Sequence, residues 1–498
     1  MITYKLSTCV FIRGIGILYS IAFISLWSQC DGLFLQNGIY PIQEYLKEIL
    51  VYKEQNLENF HTWQLAPSVF WFEDSDTMVQ VVLLLGLISS VFLIIGITPK
   101  ISAILSWVSY LSFCTGAPVF LNFQWDNLLL EAGFLTIFVC PTTLFYKNKN
   151  PSPIWRWLVY FLVFRLLIES SILKLVSSDA YGINNWKNFT ALNYHFFTQP
   201  IPHIGSWYAH HLPEWIKKVS IFMMFIIQGI LPFFQFTTPF LKKVAFFGIT
   251  TFMILILLTG NYGFFNLTTI ILCFPLIDDP FIEKFYLFFK RKNKNQIKNY
   301  DKSDPFKKNR FTSQVVLFIF AGFLIFKTSF DFFDCVGFPI QKPNWFLKID
   351  NFRIINSYGL FRVVTTERPE ILIEGSKDGK KWEKFYFKYK TSSEKEISNF
   401  LFPHMPRLDW QMWFAAIQYQ SSKQLPHWFI RFTNKISIGE QDVLNLLEKY
   451  PEPIDKIKYL RITLEKFTFS DSFDKSHLRW WWRKNKLHEY TIHMKLNN

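Results

Sequence analysis

Charged side chains are scarce in this chain of 498 residues. They make up 18% of it, whereas soluble domains carry roughly 25%. Hydrophobic residues account for 50% and aromatic residues for 19%, and the mean hydropathy is positive at +0.15. This composition excludes a disordered or fibrous chain and argues against a single soluble globule. It indicates a polytopic α-helical membrane bundle with an additional part outside the membrane.

Cysteine is scarce as well, and several catalytic motifs are missing. The six cysteines include no Cys-x-x-Cys pair, so they indicate neither a disulfide scaffold nor zinc or thioredoxin-type chemistry. The chain has no Gly-rich phosphate loop and no Gly-x-Ser-x-Gly elbow. Its histidines lack the His-x3-His spacing and acidic partners of a metal site. We therefore expect no metal and no cofactor.

Long apolar stretches recur through the first two thirds of the chain. About 20 mainly apolar residues in a helix cross a hydrocarbon core of ~30 Å. By this criterion residues 1–335 form a membrane domain with about nine spans. The predicted spans lie near residues 10–28, 78–97, 101–121, 127–145, 155–175, 216–236, 243–259, 262–277 and 312–330.

The positive charges predict the orientation of these spans. The net charge is +15, and the basic loops all fall on one side of an alternating scheme, as cytoplasmic loops do. The most basic loop, residues 278–311, carries no nucleic-acid motif and is predicted to be cytoplasmic. The segment after residue 331 is then lumenal or periplasmic. Cys30 and Cys335 share that oxidising side, which allows a disulfide between them.

The composition changes near residue 345. Apolar and polar residues alternate in five segments, a period typical of half-buried strands. Asp-Gly at 378–379 is a hairpin signal. We predict an exofacial β-rich domain over residues 345–498, with sandwich architecture and two helices. The predicted strands are 352–364, 370–375, 385–389, 428–432 and 459–467, and the predicted helices are 407–419 and 439–449.

Charge within a membrane span is costly and often functional, and two predicted spans carry the charged residues Glu131, Arg165, Glu169 and Lys174. Arg165 and Glu169 are four residues apart on one helix face, and Glu131 lies at a similar depth. We expect the three to cluster inside the bundle, either as a structural ion pair or as a ligand or reaction site. Lys174 lies at the outer edge, where it can snorkel or, if desolvated, act as a base.

Several long motifs follow one another from about residue 120 onward. They include Phe-Gln-Trp-Asp-Asn-Leu-Leu-Leu-Glu-Ala-Gly-Phe at 123–134, Leu-Asn-Tyr-His-Phe-Phe-Thr-Gln-Pro at 192–200, Asn-Ser-Tyr-Gly-Leu-Phe at 356–361 and Pro-His-Met-Pro-Arg-Leu-Asp-Trp-Gln-Met-Trp at 403–413. In these motifs the chain resembles the lipase maturation factor family. The resemblance implies a multipass membrane protein whose outer domain helps secreted dimeric lipases fold and assemble. Its membrane would be the endoplasmic reticulum in a eukaryote and the inner membrane in a bacterium.

Together with the predicted outer placement of the C-terminal domain, this resemblance implies that the domain carries a client-binding surface. Exposed aromatic and arginine side chains are the usual anchors of such surfaces. Core packing and internal salt bridges are the alternative for the same residues. The candidates are Arg362, Arg368, Glu370, Arg407, Asp409, Trp410 and Trp413.

The membrane half is also similar, more distantly, to the vitamin K-dependent γ-carboxylase superfamily. The catalytic base of those enzymes is a lysine in a Lys-Leu context, which Lys174-Leu175 matches. This similarity implies an alternative function, an intramembrane enzyme that acts on a quinone or lipid. Lys174 would be its base, with Glu131, Glu169 and Arg165 nearby.

Overall fold

The computed structural model describes residues 2–56, 60–290, 310–338, 340–343, 345–471, 480–485 and 492–495. The helices, numbered in chain order, are α1 (Lys5–Trp27), α2 (Cys30–Phe34), α3 (Ile42–Asn56), α4 (Thr62–Leu65), α5 (Asp76–Ile95), α6 (Pro99–Gly116), α7 (Pro118–Leu121), α8 (Gln124–Val139), α9 (Pro153–Val176), α10 (Ala191–Thr198), α11 (Ile204–His210), α12 (Glu214–Gly229), α13 (Leu231–Phe234), α14 (Pro239–Leu257), α15 (Phe265–Cys273), α16 (Asp279–Lys290), α17 (Arg310–Cys335), α18 (Trp345–Asp350), α19 (Arg407–Ser422), α20 (His427–Ser437) and α21 (Gln441–Leu444). The strands are β1 (Arg368–Ser376), β2 (Glu383–Lys384), β3 (Tyr386–Phe387), β4 (Leu447–Lys449), β5 (Tyr459–Phe469), β6 (Trp482–Asn485) and β7 (Ile492–Lys495).

The N-terminal part is a bundle of apolar helices. Among the described residues, five helices are long and apolar enough to cross a membrane. They are α1, α5, the helical stretch Glu214–Phe234 that joins α12 to α13, α14, and residues Gln314–Asp334 of α17. A membrane bundle followed by a C-terminal region is therefore confirmed.

The other four predicted spans are helical but do not meet that criterion of length and composition. Helix α8 has 16 residues, and the apolar stretch Phe265–Leu276 is shorter still. Helix α6 presents buried serines to its neighbours. Helix α9 has 24 residues but carries Arg165, Glu169 and Lys174, all of which are turned into the protein. Length and apolarity alone thus support five spans, and the count of nine is not confirmed.

Helix α1 lies at the centre of the bundle. Its side chains Phe11, Ile15 and Tyr19 are fully buried, and it packs against α5, α8 and α15. A Cβ atom at Gly86 of α5 would lie 2.3 Å from the ring of Phe23. Glycine at that position is what allows α5 to approach α1 so closely.

The C-terminal region contains a partial antiparallel sheet. Its strand order is β2-β1-β5-β6, with β7 also paired to β5. Apolar residues face one another across the central pair, as Ile373 does Ile462. The short strands β3 and β4 form a separate pair, and α19 packs against β1. The predicted strands at 370–375 and 459–467, the helix at 407–419 and the hairpin are confirmed, whereas the sandwich is not.

Three local predictions in this region are wrong. Residues 352–364 form no strand, because the backbone of this segment bonds to side chains of the bundle instead of to a neighbouring strand. Residues 428–432 lie within α20, since the buried residues Trp428, Phe432 and Ile436 recur every four positions. Of the predicted helix 439–449, only α21 is helical, and β4 follows it.

One hydrophobic core joins the bundle to the C-terminal region. The indole rings of Trp125 on α8 and Trp410 on α19 meet edge to face, with their centroids 4.6 Å apart. Of the predicted cytoplasmic loop 278–311, the structure describes α16 and the first residues of α17. Residues 291–309 lie outside the described part of the chain.

Candidate functional site

The charged residues of α8 and α9 meet where the bundle contacts the C-terminal region. Arg165 forms an ion pair with Glu131, and both are buried. The other carboxylate oxygen of Glu131 accepts hydrogen bonds from the Tyr358 hydroxyl at 2.8 Å and the Asn356 backbone N–H at 3.2 Å. Arg165 Nη1 in turn donates to the Asn356 carbonyl at 2.9 Å. The ion pair is thus completed by a segment of the C-terminal region.

Glu169 takes part in the same cluster. Its Oε2 accepts the backbone N–H of Tyr358 at 2.8 Å. Its Oε1 and the Nε of Arg165 have no hydrogen-bond partner among the described residues. The structure therefore brings together the three predicted residues. The contacts that satisfy them are with Asn356 and Tyr358, which favours the interpretation as a structural ion pair.

A second buried ion pair joins α8 to α19. Arg407 binds Asp126 in bidentate fashion, with Nη1–Oδ2 and Nη2–Oδ1 distances of 2.6 and 2.8 Å. The Tyr110 hydroxyl donates to Asp126 Oδ1 at 2.5 Å, and Arg407 Nη1 also donates to the Phe120 carbonyl at 3.0 Å. All of these side chains are buried. The bidentate pairing and the additional hydrogen bonds offset the high free-energy cost of desolvating both charges.

A third arginine holds the segment between α10 and α11. Arg368 on β1 is fully buried, and it donates to the carbonyls of Phe197, Gln199 and Pro200. It also pairs with Glu370 at 2.5 Å. Lys390 contacts the other oxygen of Glu370 at 3.0 Å. Each of the three arginines therefore bonds the C-terminal region to the N-terminal part of the chain.

Most of the predicted client-binding residues are consequently inside the protein. Arg368, Glu370, Arg407, Asp409 and Trp410 are buried, which is at odds with direct contact to a client. Internal packing and salt bridges, the alternative for these residues, describe their geometry. Arg362 is exposed and Trp413 is half-buried, and for these two the client-binding role stays a prediction.

Burial changes the pKa of Asp409, a residue of α19. It accepts the backbone N–H groups of Tyr389 at 3.0 Å and Lys390 at 2.8 Å. Burial nevertheless raises the pKa of Asp409 to about 6, because desolvation outweighs these hydrogen bonds. Its role is to hold the turn after β3 against α19.

A cavity of about 460 Å³ lies beside these contacts. Lys174, His195 and Tyr262 line it, and residues 358–361 of the C-terminal region form one wall. His195 Nε2 lies 3.0 Å from the Tyr262 hydroxyl, which donates to Gln199 Oε1 at 2.5 Å. Burial, aided by the charge of Lys174, lowers the pKa of His195 to about 4. Because the Tyr262 hydroxyl donates its proton to Gln199, His195 Nε2 is the donor in its contact with Tyr262.

Cys30 lies in α2 and is a buried member of the hydrophobic core. Its thiol is free and donates to the Trp27 carbonyl at 3.3 Å and to Asp31 Oδ1 at 3.3 Å. The side chain of Cys335 lies outside the described residues. The disulfide between Cys30 and Cys335 stays a prediction.

Three uncharged residues at this boundary, Asn356, Tyr358 and Tyr110, cannot be recognised from the pattern of charges in the sequence. Asn356 and Tyr358 are uncharged and lie in a motif quoted above only for its resemblance. Tyr110 lies within an apolar stretch and gives no sequence signal. Among the sequence patterns above, Asp126 occurs only within the motif at 123–134, and its partner Arg407 is a candidate for the client surface, with an internal salt bridge as the alternative.

The fold and these contacts define a class of protein: a polytopic membrane protein whose C-terminal region is fastened to its helical bundle by buried ion pairs. The family model described as the lipase maturation factor transmembrane domain matches residues 6–284. The model described as the lipase maturation factor C-terminal domain matches residues 354–492. The chain belongs to the lipase maturation factor family.

Individual relatives agree with this assignment. Lipase maturation factor 2 of Xenopus laevis is 30% identical, covering 98% of this chain and 82% of the relative. Lipase maturation factor 1 of Mus musculus is 27% identical, covering 97% of this chain and 86% of the relative. No solved structure matches the chain.

The alternative of an intramembrane enzyme is not favoured. The matching relatives carry maturation factor names. In the described part of the chain, the hydrogen bonds of the Lys174 ammonium go to Ser170 and to the Leu360 carbonyl. No carboxylate there forms an ion pair with it. The ion pair of Glu131 and Arg165 is bonded to Asn356 and Tyr358 instead.

Proposed function

We propose that this protein is a membrane-embedded maturation factor that assists the folding and assembly of a secreted lipase. The observation that carries the proposal is the family match over both the membrane part and the C-terminal part of the chain. The relatives' names specify a lipase as the protein that matures. The client would meet the C-terminal region on the lumenal side of the endoplasmic reticulum, or on the periplasmic side in a bacterium.

We also propose nine spans and a lumenal C-terminal region. The four helices that are too short or too polar by composition carry their polar groups toward the protein interior, as α6 and α9 do. A helix shielded in this way tolerates polar residues inside a membrane. With nine spans, the basic loops all lie in the cytoplasm.

The sequon Asn188-Phe-Thr190 offers a test of this orientation. Asn188 is exposed and lies on the predicted outer side, so expression in eukaryotic cells is expected to add one glycan there. An endoglycosidase should then lower the apparent mass of the wild type and leave Asn188→Gln unchanged.

A labelling experiment provides the complementary control. In cells whose plasma membrane alone is permeabilised, a maleimide that cannot cross membranes should label Lys147→Cys and spare Lys380→Cys at the exposed hairpin. Both positions are exposed. Labelling of Lys380→Cys under these conditions would contradict the lumenal placement.

The maturation role is tested by expressing the chain with a dimeric secreted lipase in cells that lack their own maturation factor. Wild type is expected to restore secreted lipase activity. Arg362→Ala combined with Trp413→Ala should lower that activity about fivefold or more, the loss expected when interface anchors worth about 1 kcal/mol are truncated. Lys380→Ala is the matched surface control.

Secreted activity is normalised to the amount of the chain and of intracellular lipase. Wild type that leaves the lipase inactive would contradict the maturation role. Full activity of the double variant would instead remove Arg362 and Trp413 from the client surface and leave the role intact.

A further inference from the structure

The cavity of about 460 Å³ has the size of a ligand site, since small-molecule pockets measure roughly 300–1,000 Å³. Its lining comes from both regions of the protein: from α9 with Leu166, Leu167 and Lys174, from the segment around Trp186 and His195, from α12, α14 and α15, and from residues 358–361 of the C-terminal region. The cavity therefore exists only when the C-terminal region is seated on the bundle.

One side of the cavity is formed by α12 and α14, two candidate membrane helices. The lining residues that are exposed at the surface are mainly apolar: Leu212, Val219, Met223, Leu255 and Leu258, together with the polar Ser220. Lys217 also lines the cavity and is half-buried. In a membrane the exposed apolar side chains of α12 and α14 face lipid chains, so a ligand would enter from the bilayer.

The interior is mainly apolar, and its few polar side chains include Lys174, His195, Tyr262, Gln228 and Asn266. Lys174 is 5% exposed, and its Nζ donates to Ser170 Oγ at 2.5 Å and to the Leu360 carbonyl at 3.3 Å. The ring of Trp186 lies 5.4 Å away. Within the described residues no carboxylate pairs with this ammonium. A buried charge without a counter-ion is costly, and a ligand with one negative charge would supply the missing partner.

We infer that the cavity binds a long-chain fatty acid, with its carboxylate on Lys174 and its alkyl chain along the apolar wall toward α12 and α14. The single ammonium matches a single carboxylate. Burial of the alkyl chain against the apolar wall supplies most of the affinity, and the charge fixes the orientation. This site goes beyond the maturation role and does not depend on it.

The test measures binding of radiolabelled palmitate to the purified full-length protein in detergent. Wild type is expected to bind one palmitate, and Lys174→Met to bind it about tenfold more weakly, because the variant loses a charge-assisted hydrogen bond to the carboxylate. Hexadecanol, which lacks the charge, should bind both proteins equally weakly. Hexadecyl phosphate serves as the competitor that separates a requirement for carboxylate from one for any anionic headgroup.

The controls separate this site from general affinity for amphiphiles. Lys187→Met removes an exposed lysine that does not line the cavity, and it should bind palmitate as wild type does. Ile256→Trp fills the cavity from α14 and should weaken palmitate and hexadecanol together, while the protein elutes as wild type does in size-exclusion chromatography.

Three outcomes would overturn the inference: equal palmitate affinity of wild type and Lys174→Met, tighter binding of hexadecyl phosphate than of palmitate, or an effect of Lys217→Met in place of Lys174→Met. Lys217 lies at the rim of the cavity and donates to the His210 carbonyl at 3.0 Å. It is therefore the competing cation that the experiment must exclude.

Discussion

Replacing Arg407 with alanine is expected to be the most damaging single substitution in this protein. It leaves the Asp126 carboxylate buried, with the Tyr110 hydroxyl as its remaining side-chain partner. Removing one partner of a buried ion pair costs about 3–5 kcal/mol. We expect Arg407→Ala to lower the midpoint of thermal unfolding in detergent sharply and to reduce the amount of folded protein in the membrane.

The double substitution Asp126→Leu with Arg407→Leu shows whether the loss of stability comes from losing the ion-pair interaction or from leaving the Asp126 carboxylate buried without a counter-ion. It removes both charges, and replacing a buried pair by apolar residues is often neutral, so it should be more stable than Arg407→Ala. Arg431→Ala is the matched control, because Arg431 pairs with the half-exposed Glu44 and Glu48. Exposed pairs contribute about 0–1 kcal/mol. Equal losses in Arg407→Ala and Arg431→Ala would contradict the structural role of the buried pair.

The second large effect is expected at Arg165. Arg165→Met leaves Glu131 and Glu169 next to each other without a cation in a buried site, which again costs about 3–5 kcal/mol. Because both acids also bond to the segment 356–358, this variant should loosen the C-terminal region from the bundle. Limited proteolysis near residue 358 should therefore accelerate before the bundle itself unfolds.

Tyr358→Phe is the milder companion to this variant. It removes only the hydroxyl that donates to Glu131 and should cost about 1–3 kcal/mol, the range for a buried group left with one partner fewer. Lys187→Met, which removes an exposed charge, controls for the loss of a positive charge. If Arg165→Met were cleaved no faster than wild type, the cluster would not fasten the two regions together.

Local patterns were sufficient to predict part of this fold. The strand β5 alternates apolar and polar residues, β1 has a short apolar run at 371–373, and Asp-Gly marks the turn after β1, so both could be predicted from neighbours in the sequence. Residues 428–432 also alternate, but the longer segment has buried positions every four residues and is helical. The lengths of the apolar stretches predicted where the helices lie. They did not determine the number of spans, because α9 carries its charged residues on a face that is turned into the protein.

The similar depth of Glu131, Arg165 and Glu169 in the predicted spans was enough to predict that these residues cluster. Their remaining partners could not be predicted, because Tyr358 follows Glu169 by 189 residues and Arg407 follows Asp126 by 281. A buried arginine and an exposed one have the same sequence signature. For that reason the sequence leaves Arg407 and Arg368 with two interpretations, a client surface or an internal salt bridge, and it is their burial in the structure that favours the second.

The long interval between Asp126 and Arg407 has a consequence for biosynthesis. Domains made first generally fold first as the chain is synthesised, so α8 enters the bilayer long before the ribosome reaches residue 407. During that interval Asp126 has no cation to neutralise it, and the nascent bundle must hold an acid whose partner has not yet been made. Chains that terminate before residue 407 keep this acid uncompensated and should be degraded by membrane quality control, even though they contain every apolar helix.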